Sequence, residues 1–390
     1  MRPNQFKCAF TRHKMKIKIF DKISDVPKEQ WNRIQSGYSC CYSHEFWEVV
    51  ENSKLNDFLH QYAMFFDEAD NPVAITSFYT ITTDICIFAP PKLRNLLLKV
   101  RKFFPNFLMF KMLECGTPIS LNKPFVASAD ISNEQIVGSI NTMLMGLAKK
   151  QGHFLIVVRD FEPEHAAAAS VFKQLGYHVV DSIPTTYMNI NWATPEIYLA
   201  SLKSYYRSKL TKHLNINKQQ GIRHEVTDNF DHLADTLCDQ WLVVHNSASE
   251  YQREILSPEF YREFSGKLGA RSKAILFYRN DELIGHALLL LDGAMLRWLY
   301  FGRTEAINDS LYIYVAHKVV ETAINLGVKQ LEMGLTTYPI KKDLGAYMSP
   351  IQFALRAPSG FINLFVGFYY PLLNHTPAIQ NKNIFKTTNS

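Results

Sequence analysis

The six cysteines of this chain form no C-x-x-C pair, and no histidine stands at metal-ligand spacing from any of them. That sets aside a zinc ribbon or a thioredoxin-like redox centre, and no metal is expected. Adjacent Cys40 and Cys41 are expected as buried thiols in a reducing compartment. The sequence also lacks an apolar run of about 18 residues, so no membrane-spanning helix is expected. Its longest apolar stretch, Phe361 to Leu373, is interrupted by Asn363 and Pro371. The basic N-terminus has no continuous apolar core of the kind a signal peptide carries, and a cytoplasmic location follows as the default. There is no G-x-S-x-G elbow and no Cys/His pairing rule, which leaves no covalent nucleophile to build on. Neither sign of charge dominates: 42 basic residues against 36 acidic ones leave a mild net charge of +6. That permits an anionic partner, such as a nucleotide, a tRNA or a membrane surface, without demanding one. DNA is not expected.

What is present is an ordinary globular composition, 47% apolar and 20% charged, long enough for two domains with sizeable cores. Residues 1–14 read as a disordered lead-in, since strand-like text begins with KIKIF at Lys16. Two halves then repeat one grammar. Tyr62 to Thr80 is a strand, an acidic Asn/Pro turn and a second strand, and Lys273 to Gly293 is the same with an Arg-Asn-Asp turn. Asn133 to Lys150 places Ile136, Ile140, Met143, Leu144 and Leu147 on one helical face, Gly152 stops it, and HFLIVV is a buried strand. Asn308 to Leu326, Gly327 and VKQLEM repeat that order. Both halves close on a lysine-containing Leu-Gly turn, VFKQLGYHV from Val171 and IKKDLGAYM from Ile340. The shared order predicts a duplicated α/β unit, residues 15–190 and 191–390, joined at Asn189 to Pro195.

Two segments stand apart from this grammar. Residues 196–219 read as one basic helix, with Lys203, Arg207, Lys209, Lys212 and Lys218 and no acid between Glu196 and Glu225. Its Leu199, Leu202, Tyr206, Leu210 and Leu214 form an apolar face, and the basic faces are either solvated or bind an anion. Lys92 to Met112 is basic and apolar, broken at Pro105. It suits a lid over an acyl chain, a packed insert or a membrane surface.

SLKSYYRSKLTKHL at Ser201, QWLVVHN at Gln240, PEFYREF at Pro258 and YPIKKDLGA at Tyr338 carry a family resemblance. Together they resemble the CelD/FemAB-like branch of the GNAT acyltransferases. The resemblance covers most of the chain and is closest in the C-terminal half. Ile340 and Leu344 stand where that family usually has tyrosine and phenylalanine, and neither half has the Q/R-x-x-G-x-G/A loop that cradles a CoA pyrophosphate. The resemblance implies tandem GNAT-like domains, each a mixed central sheet flanked by helices, with the first a degenerate copy and the second active. It implies transfer of an acyl group from acyl-CoA to an amine or hydroxyl of a small-molecule or envelope-precursor acceptor. The FemAB-type alternative takes an aminoacyl group from tRNA, and a third is a non-catalytic binding module.

Direct acyl transfer needs a deprotonated acceptor, a polarised carbonyl and a proton for the leaving atom. In such a sheet the strands ending near Phe301 and Met333 should splay at their C-terminal ends and expose backbone donors. Tyr338 is the candidate acid. Glu332 at a strand end is a candidate base or a structural ion pair, and His286, alone among apolar residues, a site residue or a buried hydrogen-bond partner. Arg303, Asn308, Ser310, Lys341 and Arg207 are the candidates for holding the donor's anion, although capping alone would explain Asn308.

Overall fold

A computed structural model describes residues 15–88, 91–248, 254–307, 309–373 and 376–386. The expected lead-in, 1–14, lies outside them. Along the chain come β1 (Lys16–Phe20), α1 (Lys28–Gln35), α2 (His44–Asn52), β2 (Leu59–Phe66), β3 (Pro72–Asp84), α3 (Pro91–Arg101), β4 (Met109–Cys115), β5 (Phe125–Ala127), α4 (Asn133–Gln151), β6 (Leu155–Phe161), α5 (Ala166–Gln174) and β7 (His178–Asp181). There follow β8 (Thr185–Asn189), α6 (Pro195–Ser201), α7 (Ser204–Gln219), β9 (Arg223–Thr227), α8 (Ala234–Ser247), α9 (Pro258–Leu268), β10 (Ser272–Arg279), β11 (Glu282–Asp292), β12 (Met295–Arg303), α10 (Leu311–Asn325), β13 (Gln330–Gly334), α11 (Tyr338–Leu344), β14 (Tyr347–Ser349), β15 (Gln352–Arg356) and α12 (Gly360–Leu373).

These elements fall into two compact units, each around one mixed sheet. The first sheet runs β1-β2-β3-β4-β6-β15-β7, with β5 paired to β3; the second runs β14-β8-β13-β12-β11-β10-β9. Read from β1 and from β9 the orders match: a meander of antiparallel strands, then one parallel pair, β4–β6 or β12–β13, then two antiparallel strands. The duplication expected from the sequence is therefore present in the strand order. The two halves are not successive, however. The first unit comprises the described residues up to Tyr38 with Asp57–Ser182 and Ile351–Thr376, and the second Ser39–Asn56, Ile183–Pro350 and the segment from Pro377. The second strand after each Leu-Gly closure changes sheet: β8, which follows β7, pairs with β13, while β15, which follows β14, pairs with β6. The expected junction at Asn189 to Pro195 thus comes after the crossing, which is at Ser182 and Ile183. Sequence patterning marks strands, but only cross-strand partners decide which sheet a strand joins.

Local chemistry explains why the repeated elements form where they do. Asn280 and Asp281 both hold φ near +50 to +65°, closing β10 onto β11 with a two-residue turn between paired Arg279 and Glu282. Asn and Asp tolerate the left-handed region better than other non-glycine residues, and this turn twists with the strands. Helix α4 opens with a capping box, Ser132 accepting from the Gln135 N–H while the Gln135 side chain accepts from the Ser132 N–H, and ends at left-handed Gly152. Its Ile136, Val137, Ile140, Met143, Leu144 and Ala148 are buried against the first sheet. Helix α10 does the same on the second sheet with Val315, Val319, Val320, Ala323 and Ile324, each larger side chain contributing about 1.5–3 kcal/mol.

The basic segment is two helices rather than one. The chain breaks at Leu202 and Lys203, where Lys203 N–H donates to Ile384 O and Leu202 bridges Phe385. A single bridge to that C-terminal segment replaces one helical turn. Beyond it, Leu202 and Leu210 are buried, with Leu199, Tyr206 and Leu214 packed against the same core. Close packing around β12 is testable at Gly302. A β-carbon there would lie 2.8 Å from the backbone nitrogen of Trp241 and against the His286 ring. Because backbone cannot swing aside, Gly302→Ala should destabilise by about 1–3 kcal/mol, read as a lowered Tm in thermal unfolding.

Candidate active site

Strands β12 and β13 run parallel for three residue pairs, ending with Arg297 opposite Glu332. β12 then continues through Trp298 to Arg303 while β13 ends at Gly334, so the parallel pairing stops there. Gly334 is still near enough that a β-carbon on it would lie 3.6 Å from Trp298 O. The register of β12 against β11 slips by one between Trp298 and Tyr300, a bulge at Leu299. A bulge re-aims the strand and frees backbone groups, and this one sits at the opening of the gap. The equivalent strand of the first unit, β4, stops at Cys115, the last residue paired with β6, and makes no such extension.

A buried charge network closes the base of the gap. Arg297 donates from Nε to Asp292 at 2.8 Å and from a terminal nitrogen to Glu332 at 2.5 Å. Asp292 also accepts from the Ser39 hydroxyl at 2.6 Å and the Cys40 N–H at 2.7 Å. Burial pushes the Glu332 carboxyl up and Arg297 opposes it; at Asp292 the same burial is outweighed by Arg297, Ser39 and Cys40, and that carboxyl is held below its ordinary value. Of the two sequence readings of Glu332, the structure gives the ion pair. It is engaged with Arg297 rather than offered as a base.

Past Glu332 the backbone turns through three left-handed residues, Gly334, Thr336 and Thr337, at φ of 70, 60 and 51°. For β-branched threonine that conformation is strained, and strain of this kind persists only where its surroundings impose it. Lys341 does so here. The expected open turn is instead helix α11, which brings Lys341 back over the turn. Its buried ammonium donates to Leu335 O at 2.6 Å and Gly334 O at 3.2 Å. Lys341 is thus committed to backbone carbonyls and does not reach out to a donor's phosphate. Burial lowers its pKa to about 7, with Glu332 opposing. Half-buried Tyr338, the first residue of α11, donates its hydroxyl to Pro184 O at 2.8 Å.

The other candidates are displaced from the roles expected of them. His286 is fully buried. Gln240, whose amide nitrogen is held by Leu283 O, presents Oε1 to Nδ1 at 3.0 Å, so Nδ1 carries the proton and Nε2 accepts from the Tyr261 hydroxyl at 3.1 Å. Burial lowers its pKa to about 3. It is a neutral core histidine with both nitrogens satisfied, not a catalytic base. Arg303 folds back on its own loop, donating to Ile307 O and to Asp309 Oδ2, both at 2.8 Å. The other Asp309 oxygen accepts the Leu311 N–H at 2.9 Å, satisfying the first free N–H of α10 from one residue before its N-cap, Ser310. Ser310 faces α7, its hydroxyl 2.9 Å from His213 Nδ1 and its carbonyl accepting from Asn217. Asn308 lies outside the described residues. Arg207 lies along a groove of about 520 Å³ on one face of α7 with Thr211, Lys212 and Asn215. Lys209 pairs with Asp343, and Lys203 donates to Asn383 O, whereas Arg207 and Lys212 have no ion pair among the described residues.

Residues that the sequence did not single out also line the gap. Tyr312, in the first turn of α10, stacks on Trp298 at 5.6 Å and meets Phe301 edge-on at 5.2 Å. Burial raises its phenol to about 12. The aromatic spacing in RWLYFG was the available signal, but it reads equally well as core.

Solved structures of low sequence identity share this fold over most of the chain. FemX is 12% identical, with a TM-score of 0.54 over 86% of this chain and 96% of its own. L-PGS from Bacillus licheniformis gives 9% and 0.51 over 90% and 98%. A tandem GNAT protein from the clavulanic acid biosynthesis pathway gives 10% and 0.52 over 89% and 99%. At these identities the likeness is one of fold, and it defines the class: proteins with tandem GNAT folds. Within that class the chain belongs to the FemAB-like family, described by peptidoglycan biosynthesis/recognition, which matches residues 101–337, more than half of the chain. It is also similar, at 27% identity over 321 residues, to a Mycobacterium tuberculosis protein provisionally named 8-amino-7-oxononanoate synthase 2. The alignment takes in 80% of this chain but 42% of that relative's length.

Lys341 offers a test of this arrangement. Its folded pKa, about 7, lies below its ordinary value of 10.5, so the unfolded state binds more protons between those limits. Stability should therefore rise as pH rises from about 7 to 10.5, and the penalty should be complete below pH 7. Denaturant titrations at several pH values should show this rise in the wild type and its loss in Lys341→Met.

Proposed function

We propose that the second unit transfers an aminoacyl group from charged tRNA to an amine of an envelope precursor or a small molecule. The observation that carries the choice of donor is the N-terminus of α10. In a GNAT-type site a CoA pyrophosphate would lie against the N–H groups there, but Asp309 already places a carboxylate at that end and takes the Leu311 N–H. A pyrophosphate would find that N–H already taken and the neighbouring cation, Arg303, already paired with Asp309. The open cations are on α7 instead, where Arg207 and Lys212 flank the groove. The family's description by peptidoglycan biosynthesis/recognition supports an envelope precursor as acceptor.

In this reading the ester carbonyl enters the gap between β12 and β13, where backbone donors of β12 beyond Arg297 polarise it. The acceptor nitrogen attacks, a C–N bond forms and the C–O bond to the ribose breaks. The leaving oxygen takes a proton from the Tyr338 phenol, which the Pro184 carbonyl orients. The proton lost by the amine returns to the phenolate. A second reading, acyl-CoA as a thioester donor, is favoured by the same strand edge: an extended arm bearing amides could pair with β12 where β13 has left it. Titration with charged tRNA, CoA and acyl-CoA separates the two. CoA binding with no response to tRNA would overturn the tRNA reading.

If α7 holds a polyanion, Arg207→Ala with Lys212→Ala should weaken tRNA binding and flatten its salt dependence by roughly one logarithmic unit for each phosphate left without its cation. Filter binding at several salt concentrations reads both effects. Tyr338→Phe should lower turnover on the order of 10²-fold with donor affinity little changed if the phenol is the acid. Steady-state kinetics would show instead a normal rate with a lowered Tm if Tyr338 only ties α11 to Pro184.

A further inference from the structure

We propose that the first unit docks peripherally on an anionic phospholipid bilayer through α3, the loop after it and α12. Such a surface is independent of which donor the second unit uses. Globular proteins seldom leave large apolar side chains clustered in water, and isolated ones need no explanation. Here they are clustered. Leu96 is 59% exposed, Phe103 81% and Phe104 66%, all within α3 and the loop that follows it. On α12, Phe361, Leu364 and Phe368 are 71%, 73% and 69% exposed, at the i, i+3, i+7 spacing of one helical face.

Both elements leave the same end of the first sheet. Asp84, the last residue of β3, pairs with Met109, the first of β4, so α3 and its loop lie at that end. β6 is parallel to β4 and begins there too, with Leu155 opposite Met112. β15 is antiparallel to β6 and finishes there, with Arg356 opposite Ile156, and α12 follows. A groove of about 590 Å³ opens at this end beside α12, lined by Phe110 and Lys111 from β4, Lys149 from α4, Pro358 just before α12 and Ile362 within it.

Charge decides between a lipid surface and other apolar partners. No acidic residue occurs between Asp84 and Glu114, and none follows Asp343. Asp84 itself is taken by Arg101, and Glu114 is buried. Lys99 and Lys102 lie in α3 and just after it, Lys111 and Lys149 line the groove with Ile362, and Lys150 follows; all are exposed and have no ion pair among the described residues. Phenylalanine and leucine on one side with lysine around them is the make-up of an interfacial element: rings enter the acyl boundary while ammonium groups meet phosphates. Neither helix could do more, since no helix among the described residues is long and apolar enough to cross a membrane.

The test is co-sedimentation of the full chain with vesicles of phosphatidylcholine alone, or with about a third phosphatidylglycerol. Binding to the anionic vesicles, weakening with salt, is expected. Phe103→Ser with Phe104→Ser, and separately Phe361→Ser with Phe368→Ser, should each reduce it about tenfold or more with circular-dichroism melting unchanged. Lys99→Gln with Lys102→Gln should reduce the preference for anionic over neutral vesicles. The proposal is overturned if the wild type binds neither vesicle, or if the serine variants bind as it does. It is overturned equally if sedimentation velocity shows the wild type self-associating through this face, with the serine variants monomeric.

Discussion

Everything at the centre of the second unit depends on one buried cation. Arg297 is the last β12 residue paired with β13, and it carries two carboxylates, Glu332 beside it on β13 and Asp292 at the end of β11. Three strands are thereby joined at the point where two of them separate. An ion pair taken out of water gains little net stability against a well-packed apolar alternative, but removing one partner leaves uncompensated charge inside. Its value here is positional. It fixes where pairing stops, and with it the place where the Leu299 bulge and the strained turn after Gly334 face each other.

The first unit contains the same device with its charges reversed. Glu114 is on β4 and Arg159 on β6, with the Tyr79 hydroxyl donating to Glu114 at 2.8 Å. There β4 ends one residue beyond the glutamate, and no strand runs on to form one side of a gap. A duplicated unit has thus kept the buried charge and strand order, while the extension that could receive a substrate occurs in the second copy. The apolar end of the first unit, with its lysine rim, is a different specialisation of the same sheet.

Much of this architecture was legible in the sequence because it rests on local chemistry. Asn280-Asp281 specified a tight hairpin turn; Ser132 and Gln135 capped α4; Gly152 and Gly327 ended helices in the left-handed region. The repeated order of such signals predicted two matching sheets. The candidate residues were harder to judge, because side-chain chemistry says what a group can do and not what it has been given to do. His286 reads as a base until Gln240 and Tyr261, 46 and 25 residues away, take both its nitrogens. Arg303 reads as an anion holder until its own loop supplies Asp309.

The sequence by itself determined the periodicities, caps and turns, and so the repeated order of hairpin, helix and strand in each half. These follow from interactions among neighbours a few residues apart, which the order of residues states directly. Tertiary structure alone decided that β8 and β15 join the sheets they do, that the basic segment breaks at Leu202, and that Lys341 turns inward while Arg207 stays open. Each of these depends on a partner far along the chain. The free energy of burying a charge or pairing a strand edge is set by what stands opposite, and one-dimensional order does not contain that.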